Sequence, residues 1–365
     1  MRTHDPGFKP PWCPWAGCRL YGKSEGFRCR SAGTHSRKAL PQTIRRFQCL
    51  TCRRTFSTQT FDTTYWLKRP DLQQPIYESL VSCSAFRQTG RALRVAGSTV
   101  QRQASRLGRH CLLYQAAHGA KGRPSEPLVL DGLLSFESSK YWPFELNVLV
   151  GQQSDYFYGF TEAELRRSGR MTTGQKRRRA KLEEDLGRPD PKATRSSVEA
   201  LFGIVAPGGG DLVVHSDEHK TYPRAFQRLP HRIEHHAVSS RRNRNRANPL
   251  FVVDLLDLLL RHGGSNHKRG TIAFSKRRQG AVERAAVTQV WRNFQKRRSE
   301  RRGDSPTPAQ SLGLTDRPLQ TEEILLRRLF PSLVQLPQAL ESYYYRRIVT
   351  RCIPKGTRHA LRFAT

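Results

Sequence analysis

Residues 128–161 read LVLDGLLSFESSKYWPFELNVLVGQQSDYFYGFT. The stretch contains apolar runs at 128–137, 144–152 and 155–161, separated by short polar segments with Gly, Ser and Pro. Short runs rich in Leu, Val, Phe and Tyr between such breakers are typical of β-strands. The stretch therefore predicts three successive strands.

The chain then alternates between helix and strand patterns. SSVEALFGIV (196–205) predicts a helix capped by Ser196 or Ser197. DLVVHSDEHKTYP (211–223) begins as a buried strand and ends in a polar turn, and RIEHHAVSS (232–240) predicts another strand. NPLFVVDLLDLLLRH (248–262) predicts a helix with Asn248 as N-cap and Pro249 at its first position. This order, three strands and then alternating helices and strands, is that of an RNase H-like α/β fold.

Two aspartates fall where these strands end. Asp131 ends the apolar half of the first strand, and Asp217 follows LVVHS. Ligands and metals collect at strand ends in α/β sheets. Two aspartates there could bridge two Mg²⁺ or Mn²⁺ ions about 4 Å apart, an arrangement that serves in-line phosphoryl transfer. The alternatives are a turn residue for Asp131 and a helix cap for Asp217.

Four cysteines near the N-terminus form two close pairs. Cys13 and Cys18 lie in WCPWAGC, and Cys49 and Cys52 lie in CLTC. Two such pairs supply the four thiolates of a tetrahedral Zn²⁺ site, so a structural zinc ribbon is predicted, with Cys29 or His35 as substitute ligands. Free buried thiols are the alternative. Arg53 and Arg54 beside the second pair would lie on DNA phosphate.

FRQTGRALRVAGSTVQRQASRLGRH (86–110) predicts two helices with a break at 96–98. This is the layout of a helix-turn-helix, whose second helix enters the major groove. An ordinary pair of core helices is the alternative. The candidate DNA contacts on the second helix are Gln101, Arg102, Gln103, Ser105 and Arg106.

The charge balance favours a polyanion partner. Lys and Arg number 64 against 30 Asp and Glu, a formal net charge of +34. Such an excess is typical of nucleic-acid binders, although charge alone also fits an RNA-binding protein of the translation apparatus. No run approaches the ~18 apolar residues of a membrane span, and the N-terminus lacks the apolar core of a secretory signal. We therefore expect a cytoplasmic, nucleoid-associated protein with no membrane partner. Its basic insertion, 165–195, has few apolar residues and predicts a mobile or DNA-tracking arm.

Taken together, LVLDG, VHSDEHKTYP, NPLFVVDLLDLLLRH, NHKRGTIAFSKRRQ and ERAAVTQVWRNF resemble the prokaryotic insertion-sequence DDE transposases over roughly residues 10–310. The resemblance implies an RNase H-like catalytic domain that uses divalent metal to cut DNA at transposon ends and join the 3′-OH to target DNA. It implies that Asp131 and Asp217 are the first two catalytic acids. The corresponding partner is double-stranded DNA, bound by a homo-oligomer. Lys220, Arg269 and Lys276 are further candidates for phosphate contacts.

The same resemblance places the third acid on the helix 249–262. Asp254 and Asp257 share one face of that helix. Glu283, on a later helix, is another candidate. We rank Asp257 first, then Asp254, then Glu283.

The predicted organisation is a zinc ribbon, an all-α helix-turn-helix domain, a linker, an RNase H-like domain and a helical tail, at 1–60, 61–119, 120–127, 128–302 and 303–365. The predicted function is that of a DNA transposase. The alternative is a catalytically silent, transposase-derived regulator that binds specific DNA.

Overall fold

The computed structural model describes residues 6–239, 241–268 and 270–353. Near the N-terminus, β1 (Cys29–Ser36), β2 (Thr43–Cys49) and β3 (Thr55–Ser57) form an antiparallel sheet in that order. Phe8 and Phe61 pack here against Phe330 from the far end of the chain. The N-terminal sheet is thus joined to the rest of the protein by an aromatic cluster.

Three helices follow this sheet: α1 (Gln73–Val81), α2 (Phe86–Ala92) and α3 (Gly97–His118). The two predicted helices are present, but the break between them lies at 93–96 rather than 96–98, because Gly97 already belongs to α3. Arg94 within the break has a φ of 53°, a left-handed conformation that ends α2 sharply.

A five-stranded mixed sheet lies at the centre of the protein, as the sequence predicts. Its spatial order is β6-β5-β4-β7-β8. β5 is antiparallel to both neighbours, whereas β4, β7 and β8 are parallel. The strands are β4 (Leu128–Phe136), β5 (Pro143–Gly151), β6 (Phe157–Glu164), β7 (Gly210–Ser216) and β8 (His231–Ala237).

The basic insertion contains a helix, α4 (Thr173–Leu186), which the expectation of an arm did not anticipate. The helix has no buried residue, so it carries no apolar periodicity for sequence reasoning to detect. Thr172 caps its first turn, and Glu183 pairs with Arg166 at 2.8 Å. Local capping and ion pairs, rather than burial, hold this segment.

Helices cover both faces of the central sheet. On one face, α5 (Ala193–Val205) and α6 (Thr221–Phe226) pack on Leu128 and Leu130. On the other, α7 (Phe251–Gly263) and α8 (Arg278–Phe294) share a core with Val129 and Leu133. Since side chains alternate along a strand, Asp131 belongs to the same face as Val129 and Leu133.

Two predicted helix starts are wrong. α5 begins at Ala193, and Ser197 is a buried residue that accepts a hydrogen bond from the Asn147 side chain at 3.0 Å. α7 begins at Phe251, because the Asn248 side chain accepts from the Leu250 N–H and so closes the preceding turn. In both cases a polar side chain stabilises a neighbouring element instead of the predicted N-terminus.

The segment after α8 wraps back over the molecule through α9 (Pro308–Ser311), α10 (Thr321–Ile324) and α11 (Gln338–Tyr344). Arg278 at the start of α8 lies 2.7 Å from Glu162 and 3.4 Å from Glu137. Arg351 near the end of the described chain lies 3.0 Å from Glu164. The Arg278 pairs fasten α8 to the central sheet, and the Arg351 pair fastens the C-terminal segment to it.

The helices before the predicted linker and those after it share one core. α3 packs along α8, and residues of both belong to the same buried cluster as β4 and β5. The contact is close because Gly108 of α3 has no side chain. A Cβ on Gly108 would lie 2.5 Å from the carbonyl oxygen of Glu283 on α8. Residues 120–127 therefore join elements that pack together.

We expect Gly108→Ala to destabilise the protein by about 1–3 kcal/mol, since the added methyl group overlaps the α8 backbone. Gly203→Ala on α5 is the matched control, because a Cβ there meets no atom within 4 Å. That change should raise stability by up to about 1 kcal/mol through helix propensity. Urea unfolding of both variants measures the difference, and equal stabilities would contradict the close α3–α8 contact.

Candidate acidic site and four-cysteine centre

The parallel pairing of β4 with β7 sets Asp131 beside Asp217. Leu130 and Ser216 are register partners, and each aspartate is the next residue of its chain. Asp131 accepts a hydrogen bond from the Gly132 N–H at 2.7 Å, and Asp217 accepts one from the His219 N–H at 3.0 Å. Both predicted acids thus lie at the same level of two adjacent strands.

Helix α7 adds two carboxylates to this end of the sheet. It packs on β4 and β5 through Val253, Leu256 and Leu260. Asp257 lies one turn from Val253 and one from Leu260, so it belongs to the side of the helix that faces the sheet. Its Oδ1 atom is buried and has no hydrogen-bond partner among the described residues. A buried carboxylate oxygen of this kind is short of a cation or a donor.

The acids of this cluster shift one another's pKa values. Burial raises the pKa of Asp131 to about 6, and Asp217 and Asp254 raise it further. Burial likewise raises the pKa of Asp257 to about 7, with Asp131 and Asp254 adding to the effect. Arg244 and, for Asp257, Arg261 act in the opposite direction. The fully ionised cluster is therefore unfavourable without additional positive charge.

Asp254 has a different environment. Its Oδ1 atom lies 3.7 Å from the Arg244 guanidinium. Burial raises its pKa, and Arg244 partly offsets that shift. Asp254 thus has a cationic partner nearby, whereas the buried Oδ1 of Asp257 has no hydrogen-bond partner among the described residues.

Glu283 lies elsewhere. It is buried between α3 and α8, where its Oε1 atom accepts from Ser105 at 2.9 Å and pairs with Arg346 at 2.9 Å. It is not among the groups that shift the pKa of Asp131 or Asp257. We therefore assign Glu283 a role in packing and leave it out of the acidic site.

Sequence reasoning missed a polar cluster on the opposite face of β4. A Cβ on Gly132 would lie 3.2 Å from Glu145 Oε2 and 3.4 Å from the Tyr222 hydroxyl. Burial raises the pKa of Tyr222, and Asp131 and Asp217 raise it further, so the phenol stays protonated and can donate. Glu145 and Asn147 alternate with apolar residues in FELNVLV, a strand signal that could have revealed them.

The thiol groups of the four predicted cysteines lie closer together than the carboxylates of the acidic site. The Sγ atoms of Cys13, Cys18, Cys49 and Cys52 all lie within 4.8 Å of one another. In the described residues this is the only group of three or more His, Cys, Asp or Glu side chains that meets that distance. Cys29 and His35 are outside it. The set could hold a metal ion such as Zn²⁺.

The chemistry of these thiols fits a metal centre. All eight cysteines are free, and all lie in the described part of the chain. Burial raises the pKa of Cys13. Burial would also raise that of Cys49, but the N–H groups of Cys52 and Thr51 and the neighbouring thiols lower it to about 7. Backbone donors that stabilise a thiolate are typical of cysteines that bind metal.

The candidate DNA contacts divide into exposed and enclosed residues. Gln103 and Ser105 are buried, and Arg106 donates to the backbone oxygens of Thr63 and Tyr65. These three predictions need correction, because the side chains face protein. Arg269 lies outside the described residues. The exposed candidates are Arg53, Arg54, Gln101, Arg102, Lys220 and Lys276.

Comparison with known proteins gives no family assignment for this chain. No protein-family model matches the chain, and no curated protein matches it significantly in sequence. Among the described residues, every helix is too short or too polar to cross a membrane.

We expect the native protein to contain one Zn²⁺ per chain, and Cys49→Ser to lose it, because three thiolates bind far more weakly than four. Metal analysis of the purified protein and thermal unfolding with and without a chelator measure the effect. Cys83→Ser, which alters a cysteine outside the cluster, should keep the ion. Cys29→Ser and His35→Ala should also keep it, and loss of metal in either would reassign the ligands.

Proposed function

We propose that the protein is a DNA transposase that cleaves transposon ends and joins the 3′-OH to target DNA. The observation that carries the proposal is the register of β4 and β7, which sets Asp131 beside Asp217. The buried carboxylate of Asp257 on α7 is close enough to Asp131 for its pKa to be raised by it. Carboxylates from two parallel strands and one helix form a donor set suited to Mg²⁺ or Mn²⁺.

The sheet supports the proposed RNase H-like assignment. Counted from β4, its strands lie in the order 3-2-1-4-5, and only the second is antiparallel to the rest. In such a sheet the first strand lies at the centre, and its acid is flanked by the acid of the fourth. Asp131 and Asp217 occupy those two positions.

The three acids would act as one metal site. Asp131 on the central strand, together with Asp217 and Asp257, would hold the divalent metal. Bound Mg²⁺ or Mn²⁺ would activate the attacking oxygen and stabilise charge on the leaving 3′-oxygen. Asp257 is preferred to Asp254 as third acid because its buried Oδ1 has no hydrogen-bond partner among the described residues, while Asp254 lies near Arg244.

The N-terminal half would recognise DNA. We propose that the cysteine centre is a zinc ribbon and that α2 and α3 form a helix-turn-helix. Gln101 and Arg102 are exposed in the first two turns of α3, the part of a recognition helix that contacts base edges. Arg53, Arg54, Lys220 and Lys276 are exposed cations suited to phosphate.

A silent, DNA-binding regulator is the second candidate. Among the described residues, the acids do not form a group of three with ligand atoms within 4.8 Å of one another, which favours this reading. A protein that binds transposon ends but does not join them in Mg²⁺ or Mn²⁺ would belong to this class.

We expect Asp131→Asn, Asp217→Asn and Asp257→Asn each to lower strand transfer by about a thousandfold or more. An amide keeps the shape but cannot neutralise a divalent ion, so several kcal/mol of charge stabilisation are lost. Transfer of labelled donor ends, taken from the DNA that flanks the gene, measures the effect, and end binding should stay within a fewfold of wild type.

Asp211→Asn, at the opposite end of β7, is the matched control and should keep full activity. Asp254→Asn and Glu283→Gln test the other third-acid candidates. Full activity in Asp257→Asn with loss in one of these would move the assignment, and a double mutant of two true ligands should be little worse than either single mutant.

We expect DNA affinity to fall by about 10³–10⁵ between 50 and 200 mM salt, as for proteins that contact 6–10 phosphates. Arg102→Ala should reduce the slope of log K against log salt by about 1, whereas Gln101→Ala should weaken preference for the ends without changing that slope. Competition between end and random duplexes over a salt series measures both. Unchanged preference for the ends in a protein that carries both Gln101→Ala and Arg102→Ala would contradict the role of α3 as reader.

A further inference from the structure

A groove of about 880 Å³ lies between the N-terminal sheet and the segment 58–66. Trp15, Tyr65 and Trp66 contribute aromatic walls, and Arg46, Arg53 and Arg54 contribute charge. The groove lies outside both the acidic site and α3. The proposed DNA recognition uses Arg53 and Arg54 at its edge, but neither it nor the proposed chemistry uses the aromatic walls of the groove.

The two tryptophans present much of their surface to solvent. Trp15 is 42% exposed and Trp66 is 60% exposed. Trp66 also has a φ of 62°, a left-handed conformation that is unfavourable for a bulky side chain. Exposed aromatic surface held by a strained backbone is a feature that folding alone does not explain.

The charges around these rings favour an anionic partner. The Arg54 guanidinium lies 3.6 Å from the centre of the Trp15 ring. Four of the described lining residues are arginines, and none is Asp or Glu. Arg46, Arg53 and Arg54 are exposed and so can reach a ligand.

We propose that this groove binds a single strand of nucleic acid, with unpaired bases stacked on Trp15 and Trp66 and phosphates on Arg46, Arg53 and Arg54. Aromatic platforms interleaved with cations are how proteins hold single strands without reading their sequence. In a duplex the base faces are already covered by their neighbours. The rings therefore favour a strand whose bases are free.

The proposed function is used only to name the natural source of such a strand, which would be DNA opened at a transposon end. The binding chemistry itself does not require strand transfer. Binding of a single strand by Asp131→Asn would separate the two proposals, since that variant is expected to lack joining.

The test uses the full-length protein and a labelled 12-nucleotide oligothymidylate. Anisotropy gives the affinity, and quenching of tryptophan fluorescence reports stacking. We expect Trp15→Ala and Trp66→Ala each to weaken binding about 5- to 150-fold, the range for loss of one stacked base. Trp66→Phe should restore most of the affinity, and a 12-base-pair duplex should bind each variant within about twofold of wild type.

An abasic strand of equal length keeps the phosphates but has no bases. It therefore separates the contribution of stacking to the affinity from the contribution of charge. The tryptophan variants should bind it as wild type does, whereas Arg53→Ala should weaken both strands and reduce the salt slope by about 1. Leu40→Ala, an exposed apolar residue of the same N-terminal sheet region outside the groove, is the control and should change nothing. Because Trp15 lies between Cys13 and Cys18, bound metal verifies that its variant is folded.

Wild-type affinity for oligothymidylate in both tryptophan variants would overturn the proposal. So would quenching by an acidic or proline-rich peptide without quenching by the oligonucleotide, which would make the groove a docking site for protein.

Discussion

The parallel pairing of β4 and β7 is the constraint on which the central domain depends. Parallel neighbours cannot be joined by a tight turn, so the chain between them must cross over the sheet. Residues after β6 supply that crossover, and α5 covers one face of the sheet on the way. α7 covers the other face of the sheet, at the place where Asp131 lies beside Asp217. The position of the acids follows from strand pairing rather than from any contact between them.

Burying these acids close to one another has a free-energy cost that depends on pH. The folded state raises the pKa of Asp131 to about 6 and that of Asp257 to about 7, above the value of about 4 expected for an unfolded aspartate. Below the unfolded pKa these carboxyl groups are protonated in both states and this cost is absent. The free energy of unfolding then falls as pH rises through about 6–7. At neutral pH the buried, ionised carboxylates therefore oppose folding unless a cation compensates them, which is a physical argument in favour of the proposed metal site.

Sequence reasoning succeeds where periodicity and spacing carry the signal. The strands around Asp131 and Asp217 and the convergence of the cysteines could be predicted because local pattern determines both. Sequence reasoning fails where tertiary packing determines whether a side chain is buried, or where a helix has no apolar pattern. Ser105 is a polar residue that α8 buries, Gln103 is buried on another side of the same helix, and α4 is a helix without an apolar face. The groove beside Trp66 depends on a backbone conformation that no local pattern indicates.

The shared core of α3 and α8 bears on how recognition and chemistry would be coupled under the proposed function. Ser105 of α3 donates to Glu283 of α8, and Gly108 lets the two backbones approach closely. α8 in turn packs against β6 and α7. Exposed Gln101 and Arg102 therefore belong to a helix that is packed into the same core as the acidic site, not to a separate unit on a linker. A DNA end held by α3 would reach the acids at a position set by packing. Specific binding would then itself orient the scissile phosphate, which reduces the entropic part of the activation barrier that a tethered reader would leave to the chemical step.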